Sequence, residues 1–217
     1  MNLILLFSFI FSFFLPTLTS SCDPSLYNEV RTCYNSFMNN YGFSVGVNNT
    51  LPSYETFALT RGEFEAGKTT DNMKKVCINQ NLLTSCLGSA ISCINSSDMS
   101  KIFYFEDEDN VSYTGDYYMA DWECTTAYSV TIGQFNCLST IGSLGSSSLD
   151  TCVDELMGNI KTEGICKAQI DYTSCLSNVY ASLCGAQAGR YICNVQKIGL
   201  TYELPQCFNQ LPTCQPL

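Results

Sequence analysis

The chain has 217 residues, a formal charge of −10 and no histidine. Ten Lys and Arg scattered among twenty Asp and Glu leave no basic face for nucleic acid or an anionic membrane surface. With 46% hydrophobic and only 14% charged residues the chain has the means to bury a core and is not expected to be disordered.

Residues 3–15 form an apolar run broken only by Ser8 and Ser12 and followed by small polar residues. This is the layout of a secretory signal peptide over residues 1–20, cleaved near Thr19, Ser20 or Ser21, although no Lys or Arg precedes Arg31. A retained anchor would need a longer apolar stretch. Lipidation of Cys22 would leave an odd number of cysteines, so no membrane anchor is expected after cleavage. Residues 21–217 hold all fourteen cysteines, which behind a secretory leader implies up to seven disulfides in an extracellular protein. Spacing alone does not fix the pairing among Cys22, Cys33, Cys77, Cys86, Cys93, Cys124, Cys137, Cys152, Cys166, Cys175, Cys184, Cys193, Cys207 and Cys214.

Asp23-Pro24 reads as an N-cap followed by proline at the first helical position. Leu26, Tyr27, Val30, Cys33, Tyr34, Phe37 and Tyr41 then recur at helical steps, with Gly42 ending the helix. Asn48-Asn49-Thr50 is an N-glycosylation sequon in a surface loop closed by Pro52. Tyr54, Phe57, Ala58 and Phe64 line a short helix, and Asp71 or Asn72 caps the next, whose stripe runs from Met73 through Val76, Cys77, Leu83, Leu87, Ala90 and Ile91 to Ile94.

Residues 95–123 read as an irregular insertion or linker, with sequons at Asn95 and Asn110 flanking the aromatic run 102–105 and the acidic run 106–109. Tyr128, Ile132, Phe135, Leu138 and Ile141 resume helical steps, and residues 142–148 read as a flexible connector. Leu149, Cys152, Val153, Leu156 and Ile160 mark a further helix, with a capping box at Thr151 to Asp154. Cys166 to Ile198 supplies one or two more, divided near Gly185 or Gly189. No proline lies between Pro52 and Pro205, which with the 3.6-residue periodicity argues for an all-α fold. The expectation is a disulfide-stapled bundle of about five to seven short helices around the insertion.

Four cysteines, Cys166, Cys175, Cys184 and Cys193, recur every nine residues. Cys77, Cys86 and Cys93 echo them: both stretches read Cys, two residues, Gln, three residues, Thr-Ser-Cys-Leu, with Gln80 and Gln169 in matching places. Nine positions rotate a helix by about 900°, so successive cysteines fall on opposite faces. A bridge between neighbours on one helix is excluded, because about 13 Å of rise exceeds disulfide reach. Either an unbroken helix is stapled to neighbours on both sides, or the chain breaks at each cysteine. The echo suggests an internal duplication inside one domain, with a weak boundary near 95–123.

Catalytic motifs are incomplete. Missing histidine removes the commonest general base and a principal zinc and copper ligand. Gly42-Phe43-Ser44-Val45-Gly46 matches the G-x-S-x-G elbow in letters, but that turn needs a strand before it and a histidine partner, so Ser44 is read as a loop residue. Glu106, Asp107, Glu108 and Asp109 offer oxygen ligands without the spacing of a calcium loop. Asp121 with Glu123 and Asp154 with Glu155 are the acid pairs on which a histidine-free glycosidase would have to draw. The C-terminal Cys214-Gln215-Pro216-Leu217 has the outline of a prenylation box without its aliphatic positions. Trp122, beside Cys124, is expected against a disulfide. No cofactor, metal site or catalytic residue is expected.

In the Cys22 to Cys33 opening, Cys77/Cys86/Cys93, Cys124 and the series Cys152, Cys166, Cys175, Cys184, Cys193, Cys207, the chain resembles the secreted cysteine-rich family catalogued as domain of unknown function 19, expanded in nematodes. The resemblance spans residues 22–214 and implies an extracellular, disulfide-bonded, helical domain, with no activity and no catalytic residues to carry over. The expected function is non-enzymatic: an extracellular binding, structural or defence-related module whose partner is a protein or small molecule. The alternatives are a small-molecule or lipid carrier enclosing an apolar cavity and, further off, a carboxylate-based hydrolase.

Overall fold

The computed structural model describes residues 22–65, 69–105, 109–144 and 146–217; the expected leader lies outside them. The architecture is all-α, as expected, with one isolated bridge between Thr50 and Tyr104. Asp23 accepts a hydrogen bond from the Ser25 amide at 2.9 Å, starting a 3-10 turn that leads into α1 (Tyr27–Asn39). α2 (Tyr54–Glu65), α3 (Thr70–Leu87), α4 (Ser96–Ile102) and α5 (Asp109–Cys124) follow. The later part of the chain holds α6 (Tyr128–Gly133), α7 (Phe135–Leu144), α8 (Ser146–Glu163), α9 (Ile165–Cys184) and α10 (Ala186–Glu203), then a 3-10 turn at Pro205–Gln210.

The ten α-helices among the described residues exceed the five to seven expected, chiefly because the insertion expected at 95–123 is itself largely helical. α4 and α5 fill it, and α5 is central. Tyr113, Tyr117, Ala120 and Cys124 form its buried stripe, but Thr114, Gly115 and Asp116 are buried as well. A helix packed on more than one side has no solvent face, so its sequence lacks the polar–apolar contrast that marks an amphipathic helix.

Other boundaries also differ. α3 is preceded by Thr69 rather than capped by Asp71 or Asn72, and it stops at Leu87, where Gly88 has φ +47°. Ala90, Ile91 and Cys93 therefore sit in a 3-10 turn, not on an extension of the helix. The connector expected at 142–148 is mostly helix, with α7 reaching Leu144 and α8 starting at Ser146. Thr151 is consequently inside α8, its hydroxyl donating to the Ser147 carbonyl at 2.9 Å, and is no cap. The break between α9 and α10 falls at Gly185, whose φ of +90° only glycine adopts without strain. Gly189 serves a different end: a Cβ there would lie 2.7 Å from Ala181 Cβ and from the Ser177 carbonyl, so its hydrogen lets α10 lie against α9.

All fourteen cysteines are bridged. α3 is stapled on opposite faces, Cys77 to Cys124 at the end of α5 and Cys86 to Cys33 in α1. Cys93 ties back to Cys22. α9 follows the same scheme as one unbroken helix: Cys166 to Cys207, Cys175 to Cys152 in α8, and Cys184 to Cys137 in α7. Of the two arrangements that nine-residue spacing permits, the doubly stapled helix is the one present. In each set of six, first pairs with fifth, second with fourth and third with sixth, while Cys193–Cys214 is an extra clip on the second set. No bridge joins residues before Cys124 to residues after it.

Packing joins the two sets instead. α5 and α10 lie antiparallel, with the Glu203 carboxylate against Gly115, Met119 sulfur against Gly199, and Tyr118 stacked on Tyr202 at 3.9 Å between centroids. The largest core cluster belongs to the first set, where Tyr34, Phe37, Tyr41, Phe57 and Phe103 make edge and tilted ring contacts and Phe57 stacks on Tyr113, in a core shared with Cys22, Cys33 and Cys93. Trp122, expected against a disulfide, lies 5.6 Å from the Tyr191 ring, in a cluster with Ala127, Val130 and Leu138.

Two stability effects are expected. Replacing Cys77 and Cys124 together by alanine opens a loop with a sequence separation of 47. That should cost about 4 kcal/mol and lower the thermal midpoint by roughly 8–16 °C, read by calorimetry. Gly189→Ala should cost about 1–3 kcal/mol by forcing α9 and α10 apart, seen as an earlier urea midpoint with an unchanged slope.

Candidate functional site

Where α2, α5 and α10 meet, a buried polar cluster interrupts the apolar packing. Arg61 on α2 grips Asp116 on α5 with both terminal nitrogens, Nη1 to Oδ2 at 2.7 Å and Nη2 to Oδ1. The side chains are 16% and 7% exposed. The Tyr54 hydroxyl donates to Asp116 Oδ1 at 3.0 Å, and the Arg61 guanidinium sits 5.1 Å from the centre of the Phe57 ring. Asp109, opening α5, accepts from the Tyr54 amide at 3.0 Å and so anchors the start of α2. A bidentate, nearly dry pair of this kind is strong only while both partners stay in place.

Glu203 reaches this cluster from α10 and lies on the backbone of Gly115. Burial, and secondarily the negative charge of Asp116, hold its carboxyl above the usual range. Burial likewise pushes the Tyr54 and Tyr113 hydroxyls well above their ordinary value and the Tyr117 hydroxyl up to about 12. These phenols are therefore neutral donors at any physiological pH. Chemically the cluster is a lock: the acid in it is satisfied by arginine and tyrosine, and the second carboxylate is covered by a helix.

The acid pairs singled out from the sequence do not converge. Asp121 accepts from the Thr84 hydroxyl at 2.8 Å, toward α3, whereas Glu123 accepts from the Tyr191 hydroxyl at 2.7 Å, toward α10. Asp154 and Glu155 are exposed on α8. Ser44 is exposed in the loop after α1. Of the acidic run, residues 106–108 lie outside the described residues, and no cluster of three potential metal ligands occurs among those described. Cys214 is bonded to Cys193, which removes it as a prenylation acceptor. An open trough on α2, lined by Glu55, Ala58, Leu59, Gly62 and Glu63, is a surface feature of one helix, not an enclosed cavity.

The three sequons differ sharply. Asn48 is exposed, with φ +67°, in a tight loop where Asn49 also has positive φ. Asn95 is the N-cap of α4: its Oδ1 accepts from the Asp98 amide at 2.9 Å, and its Nδ2 donates to the Ser92 carbonyl at 3.1 Å and to Asp98 Oδ2 at 2.8 Å. Burial disfavours the Asp98 charge, but hydrogen bonds from Asn95, Tyr27 and Lys101 outweigh it and hold that carboxyl below its usual value. Asn110 is half-buried in the first turn of α5, and its Nδ2 donates to the Ser96 carbonyl at 2.9 Å.

Sequence reasoning missed the Arg61–Asp116–Glu203 cluster. The one available signal was scarcity: Arg61 is one of three arginines in the chain, and it stands in an otherwise unremarkable helix. Comparison with protein-family models, curated proteins and solved structures finds no match.

The lock makes two opposite expectations. Asp116→Asn removes the carboxylate that Arg61 grips with both terminal nitrogens and should cost roughly 3 kcal/mol, or about 6–12 °C in midpoint, even though it relieves Glu203 of a like charge. Glu203→Gln should instead stabilise at neutral pH. Because the folded carboxyl sits above its unfolded value of about 4.5, its favourable contribution is complete below that value and is lost as pH rises through the folded one. The Gln variant should therefore melt higher than the parent at pH 7 and match it near pH 4, in paired thermal melts.

Proposed function

We propose that the chain is a secreted, non-enzymatic extracellular module: two helical units, held by three and four disulfides with three in the same pairing order in each, acting as a rigid scaffold for binding or for structure. The observation that carries this reading is the framework itself. Seven bridges fit an oxidising compartment, and no described helix is long and apolar enough to cross a membrane. The repeated pairing order, together with contact between the corresponding return helices α5 and α10, supports an internal duplication. Its boundary would then fall between Cys124 and Cys137 rather than near 95–123.

The polar residues at the centre of the molecule support a structural role as well, since the Arg61 guanidinium and the Tyr54 hydroxyl both donate to the buried Asp116 carboxylate. The resemblance to the domain of unknown function 19 family, carried by cysteine spacing, points the same way. Exposed apolar side chains on the outer helices, such as Ile78 and Leu82 on α3 and Val153 and Met157 on α8, are the available contact groups for a partner.

Expression of the full chain in a eukaryotic secretory cell tests this. The medium should contain a protein that begins near residue 21, with no free thiol and the seven bridges named above in a non-reduced peptide map. Retention in the cell with an intact leader would overturn the secreted reading. Turnover of aryl glycosides that disappears on Asp121→Asn or Glu123→Gln would overturn the non-enzymatic one.

A further inference from the structure

The three sequons share one sequence rule, but their amide nitrogens are in different chemical situations. N-glycosylation transfers an oligosaccharide from a lipid diphosphate donor to Asn Nδ2. A bond forms between Nδ2 and the anomeric carbon, the bond from that carbon to the diphosphate breaks, the lipid diphosphate leaves, and Nδ2 gives up one proton to a base of the transferase. The product amide keeps a single N–H. A side chain that uses both of its N–H groups in the fold therefore cannot carry a glycan and keep its hydrogen bonds.

Asn95 is in that position. Its Nδ2 serves Ser92 and Asp98 at once, and its Oδ1 caps α4. A glycan there would displace one of those acceptors and weaken a cap whose loss alone costs on the order of 1 kcal/mol. Asn110 ties the start of α5 to the start of α4 through Ser96 from a half-buried position, so a sugar on it would have to open the contact between those helices. Modification precedes folding, so the cost acts afterwards: a chain glycosylated at Asn95 must fold without one of its two Nδ2 bonds, and one glycosylated at Asn110 must keep its remaining N–H on Ser96 while accommodating a sugar at a half-buried position.

Asn48 has none of these obligations. Its loop is held by main-chain bonds that do not involve its side chain: the Gly46 amide to the Thr50 carbonyl at 2.8 Å, the Asn49 amide to the Gly46 carbonyl at 3.1 Å, and the Tyr104 amide to the Asn49 carbonyl at 3.2 Å. The last bond brings Tyr104 beside the sequon. Tyr104 is 62% exposed and Val47 is 89% exposed, so two large side chains are open to solvent, one adjoining the acceptor in sequence and one tied to its neighbour Asn49 through the main chain. An aromatic face suits the C–H face of a pyranose, leaving the phenol tip in water.

We propose that Asn48 is the chain's N-glycan acceptor, that Val47 and Tyr104 form the surface on which its first sugar rests, and that Asn95 and Asn110 are unmodified in the folded protein. The proposal rests on the secreted reading above and adds to it which sequon is used and why.

The test uses the full chain secreted by a eukaryotic cell, digested without reduction and treated with a glycan-releasing amidase in heavy-oxygen water. Isotope-marked conversion of Asn to Asp is expected at residue 48 and not at 95 or 110. Asn48→Gln and Thr50→Ala should each remove the glycan-dependent gel shift while the chain still reaches the medium. With the glycan trimmed to one sugar, the thermal midpoint should exceed that of the deglycosylated protein, and this difference should vanish in Tyr104→Ala. A secreted chain with Asn48 unmodified, or with sugar on Asn95 or Asn110, would overturn the acceptor assignment while leaving secretion intact. An equal glycan effect in parent and Tyr104→Ala would overturn the resting surface. A chain that stays inside with its leader uncleaved would sink the secreted reading, and this proposal with it.

Discussion

A cysteine placed every nine residues on a helix alternates between two opposite faces, and the rest of this molecule follows from satisfying both. α3 meets the demand by lying between α1 and α5, with Cys86 bonded one way and Cys77 the other. α9 meets it over a greater length: Cys175 faces α8, while Cys166 and Cys184, about 27 Å apart along the helix axis, reach the C-terminal turn and α7. A helix fixed on both faces cannot slide or rotate against its neighbours. The loops around it are correspondingly free to vary without loss of the frame.

Covalent bonds hold each set together, but noncovalent packing holds the sets to each other. The antiparallel contact of α5 and α10 is made close by Gly115 and Gly199, each of which leaves room for a long side chain of the other helix. The same contact carries a charge cost. Glu203 is pressed onto α5 beside Asp116, whose negative charge opposes its own. The Arg61–Asp116 pair thus anchors α2 to α5 at the place where the second set docks. Stability within a set is dominated by restriction of the unfolded chain, whereas stability between sets depends on packing and on pH.

Individual side chains that carry sequence motifs turn out to have prior structural duties. Asn95 obeys the sequon rule and is also a helix cap; Cys214 resembles a prenylation acceptor and is a disulfide partner. Ser44 sits in the letters of a nucleophile elbow on an exposed loop after a helix. For Asn95 and Cys214 the bond made in the fold competes with the capability the local pattern describes; Ser44 lacks the strand and the histidine partner that its pattern requires.

The linear chain by itself determined the all-α class, because helical periodicity and the proline-free span act through local geometry. It also narrowed the nine-residue cysteine stretches to two arrangements, a helix stapled on both faces or a chain broken at each cysteine, of which the tertiary structure chose the first. It did not reveal α5, whose burial on more than one side erases the polar–apolar contrast on which periodicity depends. Nor could it yield the pairing order, the Arg61–Asp116–Glu203 lock or the inequality of the three sequons. Those depend on which residues distant in sequence come within hydrogen-bond or disulfide reach, such as Arg61 and Asp116, 55 positions apart, and only the tertiary packing brings them together.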